Sequence, residues 1–390
     1  MKTLELSKKY KDYVIEMRRT IHRHPEPGTQ EFKTAELIRG ELDKMGIPYE
    51  AKFVTGTVAT IKGNNPGKTV ALRADIDALT LDDRTGVDYA SEIPGMNHAC
   101  GHDTHAAMLL GAAKILNEMK DEINGTVKLF FQPAEEVGVG ARGMIADGCM
   151  EGVDNVFAIH IASSAELGKV GSGAGGRMAS ADRFIINVTG RGGHGAAPHQ
   201  CVDAVYIASK IVVALQEIVS RELDPVVPAV VTCGTINGGS RWNIVANEAV
   251  IEGTTRCFAP EVRDMLEEAI GRIAKNVAEA YRGTAELDYQ RLVAPTVNTA
   301  ESVDLIEETV KQLLGDGAFF ESPAQMGGED AGEYFAVAPE GGALANLGSR
   351  NPNRPETQWP HHHPNFNVDE DAFEIGSALY AQYAINYLNK

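Results

Sequence analysis

Metal-capable side chains crowd into one short run, His98-Ala99-Cys100-Gly101-His102-Asp103-Thr104-His105. Cys100 and His102 are two residues apart, so an extended segment would point both to the same side, with Gly101 removing bulk between them. A thiolate beside imidazoles is a donor set for a divalent metal. A small buried cysteine and a packed or capping histidine would each explain one residue of the run, but not the whole cluster.

Other carriers of such chemistry follow short apolar runs. Thr69-Val70-Ala71-Leu72 leads into Arg73-Ala74-Asp75-Ile76-Asp77. Alternation puts Asp75 and Asp77 on one face, where they could bind metal, pair with Arg73 or orient a ligand histidine, the last being the expectation for Asp77. Val127 to Phe131 ends in Gln132-Pro133-Ala134-Glu135-Glu136. Adjacent carboxylates repel unless a cation or shared proton reconciles them, which suits one metal ligand and one general base with a raised pKa. Val156 to Ile159 delivers His160, and one histidine of Trp359-Pro360-His361-His362-His363-Pro364 is a candidate last ligand. The histidines of His22-Arg23-His24-Pro25-Glu26-Pro27-Gly28 read instead as part of a helix-breaking turn.

These residues need elements to hold them. Helical periodicity marks 10–21, 30–45 and 302–314, a helix apolar on nearly every face covers 106–119, and an amphipathic one closes the chain from 369 to 388. In open α/β sheets, ligands bind beyond the carboxyl ends of the strands, and three successive strand ends here carry Asp, Glu and His. From about Ala181 the order becomes strand (183–189), helix (202–223), strands (229–236 and 248–256), helix (261–282) and strand (286–291), a βαββαβ ferredoxin-like unit. The fold class is therefore α/β, with a central mixed sheet flanked by helices. A metal-binding catalytic domain is expected in two parts, 1–180 and 292–390, around the inserted 181–291 unit.

Composition sets the bounds. At 390 residues and 43% apolar content the chain has room for two domains and a large core. A formal charge of −18 without a basic run argues against a nucleic-acid partner. Five scattered cysteines with no CxxC spacing argue against a disulfide framework and fit a reducing cytoplasm. No apolar leader and no membrane-length apolar stretch are evident, so neither export nor anchoring is expected.

Jointly, Arg73 to Leu79, His98 to His105, Gln132 to Glu136, His160, Gly190 to His199, Asn243 and His362-His363-Pro364 resemble the di-metal metallopeptidases and amidohydrolases that include aminoacylases and carboxypeptidase G. The branch most resembled is that of hippurate hydrolases and indole-acetyl-amino-acid hydrolases. The resemblance spans nearly the whole chain. It implies two divalent ions held by Cys100, His102, Glu136, His160 and His362, with Glu135 as general base and Asp77 orienting a ligand. Zinc suits this donor set, with manganese, cobalt or nickel as alternatives. The resemblance also makes the βαββαβ unit a lid and dimerisation domain, in which His194, Asn243 and Arg256 bind substrate and His194 stabilises the oxyanion. A homodimer or higher homo-oligomer is implied.

The implied reaction is hydrolysis of an N-acyl amino acid. Alternatives with the same metals are a dipeptidase or carboxypeptidase and an N-acetyl-diaminopimelate-type deacetylase. An alternative of another class is a metal-dependent binding protein that has lost turnover, although such a protein could dispense with Glu135. The chain departs from other branches of the family at Asp75, where they place a ligand histidine; Asp75 with Cys100 and His102 is the pattern of the branch it resembles. It departs again at Ile161-Ala162-Ser163-Ser164-Ala165, where the branch has prolines, and at Ala331, where a Phe is usual. The last two changes bear on acyl-group preference rather than on the reaction.

Overall fold

Ala, Leu and Met fill the stretch after Gly101, and these strong helix formers make the helix His102–Glu118 in the computed structural model, which describes residues 1–390. Every residue from His102 to Ala113 is buried. Side chains such as Leu109, Leu110 and Ile115 contribute about 1.5–3 kcal/mol each relative to exposure. The helix Ala372–Leu388 packs against it, and the Ser377 hydroxyl donates to the Met108 carbonyl at 3.0 Å. Gly111 permits that approach, since a Cβ there would lie 2.4 Å from Ser377 Oγ. The final helix begins at Ala372 rather than Asp369 and is buried on nearly every side instead of being amphipathic. The sheet, Lys2–Lys9, His102–Glu118 and Ala300–Leu314 surround it.

The sheet has eight strands in the order Tyr49–Lys52, Gly56–Lys62, Asn124–Gln132, Asn65–Asp75, Asn155–Glu166, Gly342–Arg350, Val170–Ser172, Phe319–Glu321. Asn65–Asp75 runs parallel to both its neighbours, and Asn155–Glu166 runs parallel to Gly342–Arg350. Gly56–Lys62 is antiparallel to Asn124–Gln132, so the sheet is mixed. Apolar runs such as Val70–Leu72 and Val156–Ile159 are fully buried, as strands covered on both faces must be.

Arg73 pairs with Ala158 and Asp75 with Gln132, which puts Asp75, Gln132 and His160 at one level. His160 is therefore mid-strand rather than at a strand end. Its strand continues to Glu166 because Gly342–Arg350 accompanies it, pairing Asn346 with His160 and Arg350 with Glu166. The Tyr380 hydroxyl fixes this level by accepting Ile159 N–H at 3.2 Å and donating to the Arg73 carbonyl at 2.7 Å.

The chain divides into two compact units. The first comprises Met1–Gly175, Val297–Pro323 and Asp330–Lys390, and the second Gly176–Thr296 with Ala324–Glu329. The second contains strand Ala181–Thr189, helix Ala204–Glu217, strands Ala229–Gly238 and Glu248–Cys257, helix Pro260–Ala280 and strand Thr284–Val293. Its four-stranded antiparallel sheet has Ala229–Gly238 and Thr284–Val293 at the edges and Glu248–Cys257 and Ala181–Thr189 inside, the ferredoxin-like arrangement. No helix is long and apolar enough to cross a membrane, and all five cysteines are unpaired.

A buried ion cluster lies at the start of the helix His102–Glu118. Asp103 Oδ2 accepts from Arg18 Nε at 2.8 Å and from His22 Nδ1 at 2.7 Å, and His22 Nε2 lies 3.2 Å from Asp83 Oδ2. Burial works against the Asp103 charge, but Arg18 and then His22 outweigh it and hold the carboxyl well below the usual range. A carboxyl lowered on folding contributes stability above its unfolded value, about 3.9, and loses it as pH falls through the folded value. In metal-free protein, Asp103→Asn should therefore cost about 3–5 kcal/mol at pH 7. That cost should shrink steadily below about pH 4. Urea unfolding at pH 7 and at about pH 3 checks this, and an equal cost at both would refute it.

Candidate metal centre

Gly101 adopts φ +93°, and a Cβ on it would lie 2.4 Å from Ile161 Cγ2, so only glycine fits this turn. The segment is thus not extended as the spacing suggests. Cys100 precedes the turn and His102 opens the helix. Even so, the ligand atoms of Cys100, His102 and His160 all lie within 4.8 Å of one another. Cys100, Glu136 and His362 form a second such group, and His102, Glu135 and Glu136 a third. Cys100, His102 and Glu136 each belong to two of these three groups.

Hydrogen bonds aim these atoms. Asp77 accepts His102 Nδ1–H on Oδ1 at 3.1 Å and the backbone N–H of Glu136 on Oδ2 at 3.0 Å. His160 donates Nδ1–H to the Ile161 carbonyl at 2.7 Å, which puts its Nε2 3.6 Å from Cys100 Sγ. His102 Nε2 and Glu136 Oε1 are buried without a hydrogen-bond partner and lie 3.8 Å apart. Each orphaned atom costs about 1–3 kcal/mol unless a cation or water satisfies it. A divalent ion fits a gap between thiol, imidazole and carboxylate donors.

The structure also sorts the remaining histidines. His362 Nε2 lies 3.5 Å from Glu136 Oε1, whereas His361 donates Nδ1–H to the Cys100 carbonyl at 3.2 Å and accepts Ser163 N–H at 3.4 Å. His363 accepts Asn365 N–H and stacks on Trp359. Asp75, His102 and His105 form another metal-sized group, but both His105 nitrogens are engaged, by Asp75 at 2.5 Å and Ile161 N–H at 2.8 Å. His98 is buried in the same run but belongs to none of these groups, and burial pushes its ring down to about 4.

Charge in the centre is finely opposed. Burial pushes the Cys100 thiol up, and also the Glu136 carboxyl, against the pull of His102 and His362. Burial, then the His105 and His361 rings, push His160 down. Burial would lower His102 too, but Asp75 and its other anionic neighbours raise it. A bound cation would reverse the pressure on the thiol and the carboxyl.

Several positioning residues escape the sequence pattern. Ala134 and His362 have φ of +57° and +61°, left-handed conformations costing non-glycine residues on the order of 1–3 kcal/mol. Buried Glu31 holds the first by accepting Ala134 N–H at 2.8 Å and Thr29 N–H at 3.0 Å on Oε1, and the Thr55 hydroxyl on Oε2. The Ala99 carbonyl holds the second by accepting His362 N–H at 2.8 Å. The turn read as merely helix-breaking lies against this centre, since Pro27 bridges Ala78 and a Cβ on Gly28 would lie 3.2 Å from Ala134 Cα and 3.3 Å from Asp77 Oδ2. The Pro-Gly signal was visible, but nothing in the spacing marks Glu31.

In the second unit, Gly193–His194 pairs with Ile244–Val245, and Gly195 N–H donates to the Asn243 carbonyl at 2.9 Å. His194 and Asn243 are thus neighbours, and Asn243 Oδ1 is buried without a partner. Arg256 is at the other end of Glu248–Cys257, about 25 Å away at 3.3 Å per residue. It donates to Thr254 Oγ1 and the Thr255 carbonyl. One copy of this unit therefore does not bring Arg256 together with the other two.

Residues 71–386 match peptidase family M20/M25/M40. Thermostable carboxypeptidase 2 of Saccharolobus solfataricus is 41% identical over 98% of this chain and 97% of its own length. N-acetyl-L-cysteine deacetylase of Bacillus subtilis is 38% identical over 92% of this chain and 84% of its own. A crystal structure of a dinuclear metal-binding peptidase of family M20 from Bacillus subtilis superimposes with a TM-score of 0.86 at 32% identity, covering 98% of this chain and 99% of that one.

Binding of a cation should displace the Cys100 proton, because burial keeps the metal-free thiol protonated at neutral pH. Zinc affinity should therefore rise about tenfold per pH unit for each proton displaced between about pH 6 and 8. Cys100→Ala should lower that slope by one proton. Calorimetry across pH would refute this if the variant and wild type had the same slope.

Proposed function

Because the chain belongs to peptidase family M20/M25/M40 and is a metal-dependent amidohydrolase or peptidase, we propose that it hydrolyses the amide bond of N-acyl amino acids. The observation that carries this reading is the pair of buried, unpartnered donor atoms, His102 Nε2 and Glu136 Oε1, grouped with Glu135. Cys100, His102, Glu136, His160 and His362 would hold two divalent ions, zinc by preference and manganese, cobalt or nickel as alternatives. When bound, the ions would polarise the amide carbonyl and make water a stronger acid. Glu135 takes the proton of the attacking water and returns it to the leaving amine nitrogen. Asp77 keeps His102 and the Glu136 backbone in register. Arg256 and Asn243 take the substrate carboxylate, for which a guanidinium fork gives directional, charge-assisted pairing. His194 donates to the oxyanion as the carbonyl becomes tetrahedral. The unpaired cysteines suit a reducing cytoplasm.

The likeness to a named carboxypeptidase supports a second reading, peptide cleavage by the same centre. A panel of N-acetyl and N-benzoyl amino acids, their carboxamides and matched dipeptides separates the two. Acyl substrates should be cleaved fastest and the carboxamides at least tenfold more slowly, the loss expected when one charge-assisted contact of about 1.5–3 kcal/mol is removed. Preference for dipeptides would favour the second reading, and equal rates on the carboxamides would remove Arg256 and Asn243 from carboxylate binding. Glu135→Gln should abolish turnover while keeping wild-type metal content; metal loss would make Glu135 a ligand, and retained turnover would unseat it as base.

The separation of Arg256 from His194 and Asn243 supports a homodimer in which His194 and Asn243 of one copy join Arg256 of its partner at the partner's site. The edge strand Ala229–Gly238 and exposed Val213, Ile236 and Trp242 give this unit surface to pair with. Glu135→Ala and His194→Ala proteins, each inactive alone, can be unfolded together and refolded. Half the dimers would be mixed, each with one complete site, so about a quarter of wild-type activity should return under two-fold symmetry. No recovery, with mixed dimers confirmed by mass, would mean that His194 serves its own chain.

A further inference from the structure

We propose that His105 is a positioning residue for the ion that Cys100, His102 and His160 would hold, acting through the backbone of Ile161. The inference rests on the two-ion reading above. His105 is fully buried and uses both ring nitrogens, donating Nδ1–H to Asp75 Oδ1 at 2.5 Å and accepting Ile161 N–H on Nε2 at 2.8 Å. Ile161 in turn offers its carbonyl to His160 Nδ1–H at 2.7 Å. The two rings meet edge to face, with centroids 4.7 Å apart and planes at 68°. The Ile161 residue thus links the seat of His105 to the direction of His160 Nε2, the atom 3.6 Å from Cys100 Sγ.

The far end of this line is anchored. Asp75 accepts from Arg73 at 2.7 Å, and Arg73 also donates to Gln132 at 2.8 Å and Asp330 at 2.7 Å. Asp75 therefore commits one oxygen to the guanidinium and the other to the imidazole, which explains its presence without making it a ligand. In the second group, Cys100, Glu136 and His362, only the shared Cys100 lies next to this line. Glu136 is held by Asp77 and His362 by the Ala99 carbonyl, neither of them tied to His105. A change at His105 should act on one ion and spare the other.

Two substitutions divide the imidazole between them. In His105→Asn the amide nitrogen can still donate to Asp75, but nothing reaches Ile161 N–H. In His105→Gln the longer side chain brings a carbonyl oxygen to the Nε2 position, where it accepts that N–H. Zinc titrations of metal-free protein by calorimetry should give two binding events in wild type. In His105→Asn one event should weaken 10–100-fold, the usual effect of losing a group that orients a ligand, and the other should stay unchanged. His105→Gln should recover at least tenfold of the loss, a rescue that mere packing of the ring would not produce.

Circular dichroism of the metal-free variants checks folding. Should His105→Asn fail to fold, Asp75→Asn asks the same question. Arg73 claims the amide oxygen, so the amide nitrogen faces Nδ1–H and forces His105 to turn; the same selective loss is expected. The inference is overturned if His105→Asn binds both ions as wild type does, if both events weaken equally, or if Gln does no better than Asn. Wild-type protein that binds fewer than two zinc ions would overturn the two-ion reading, and the inference with it.

Discussion

Asp77, almost entirely buried, holds His102 with one carboxylate oxygen and the backbone of Glu136 with the other. That double acceptance works only if its charge is offset, because an unpaired buried carboxylate costs several kcal/mol. Elsewhere the fold supplies guanidinium groups, Arg18 for Asp103 and Arg73 for Asp75 and Asp330. No lysine or arginine pairs with Asp77 or Glu136; the groups facing them are histidines. The deficit of positive charge falls where the ligand atoms converge. A divalent cation there answers a need that the rest of the chain creates.

The loops that bring those atoms together are held against their own preference. Neither Ala134 nor His362 would choose a left-handed backbone, and each is kept there by a hydrogen bond from outside its loop. Rigid strands set the level of Asp75 and His160, and Tyr380 ties that level to the last helix. Precision therefore comes from the sheet, while the strained turns aim the carboxylates and the final histidine.

Legibility in the sequence followed the same division. Parallel strands covered on both faces read as continuous apolar runs, and helix His102–Glu118 read as buried all round, because burial acts on every residue of such elements. The donors Cys100, His102, Glu135, Glu136 and His160 stood out because their types are costly in those places without a role. What the pattern could not carry was contact at long range. Glu31 looks like a surface glutamate until the chain folds Ala134 and Thr55 onto it. His160 read as a strand end because a neighbouring strand, almost 200 residues later in sequence, is what extends it. The last helix read as amphipathic because its polar residues, Tyr380, Gln382 and Tyr383, find partners inside: the Arg73 carbonyl, Thr3 and Asn155.

Metal and fold are then energetically coupled in this chain. The unpartnered His102 Nε2 and Glu136 Oε1 and the raised Glu136 carboxyl all disfavour the folded state at neutral pH without a cation, and all would be relieved by one. The buried Arg18 and Arg73 clusters need no metal, so the sheet and the helix His102–Glu118 can form first and present a nearly complete set of donors. Binding then finishes an arrangement already built, and little conformational entropy is left to lose. Such preorganisation suits a hydrolase, since its ligands need not move as charge develops on the substrate.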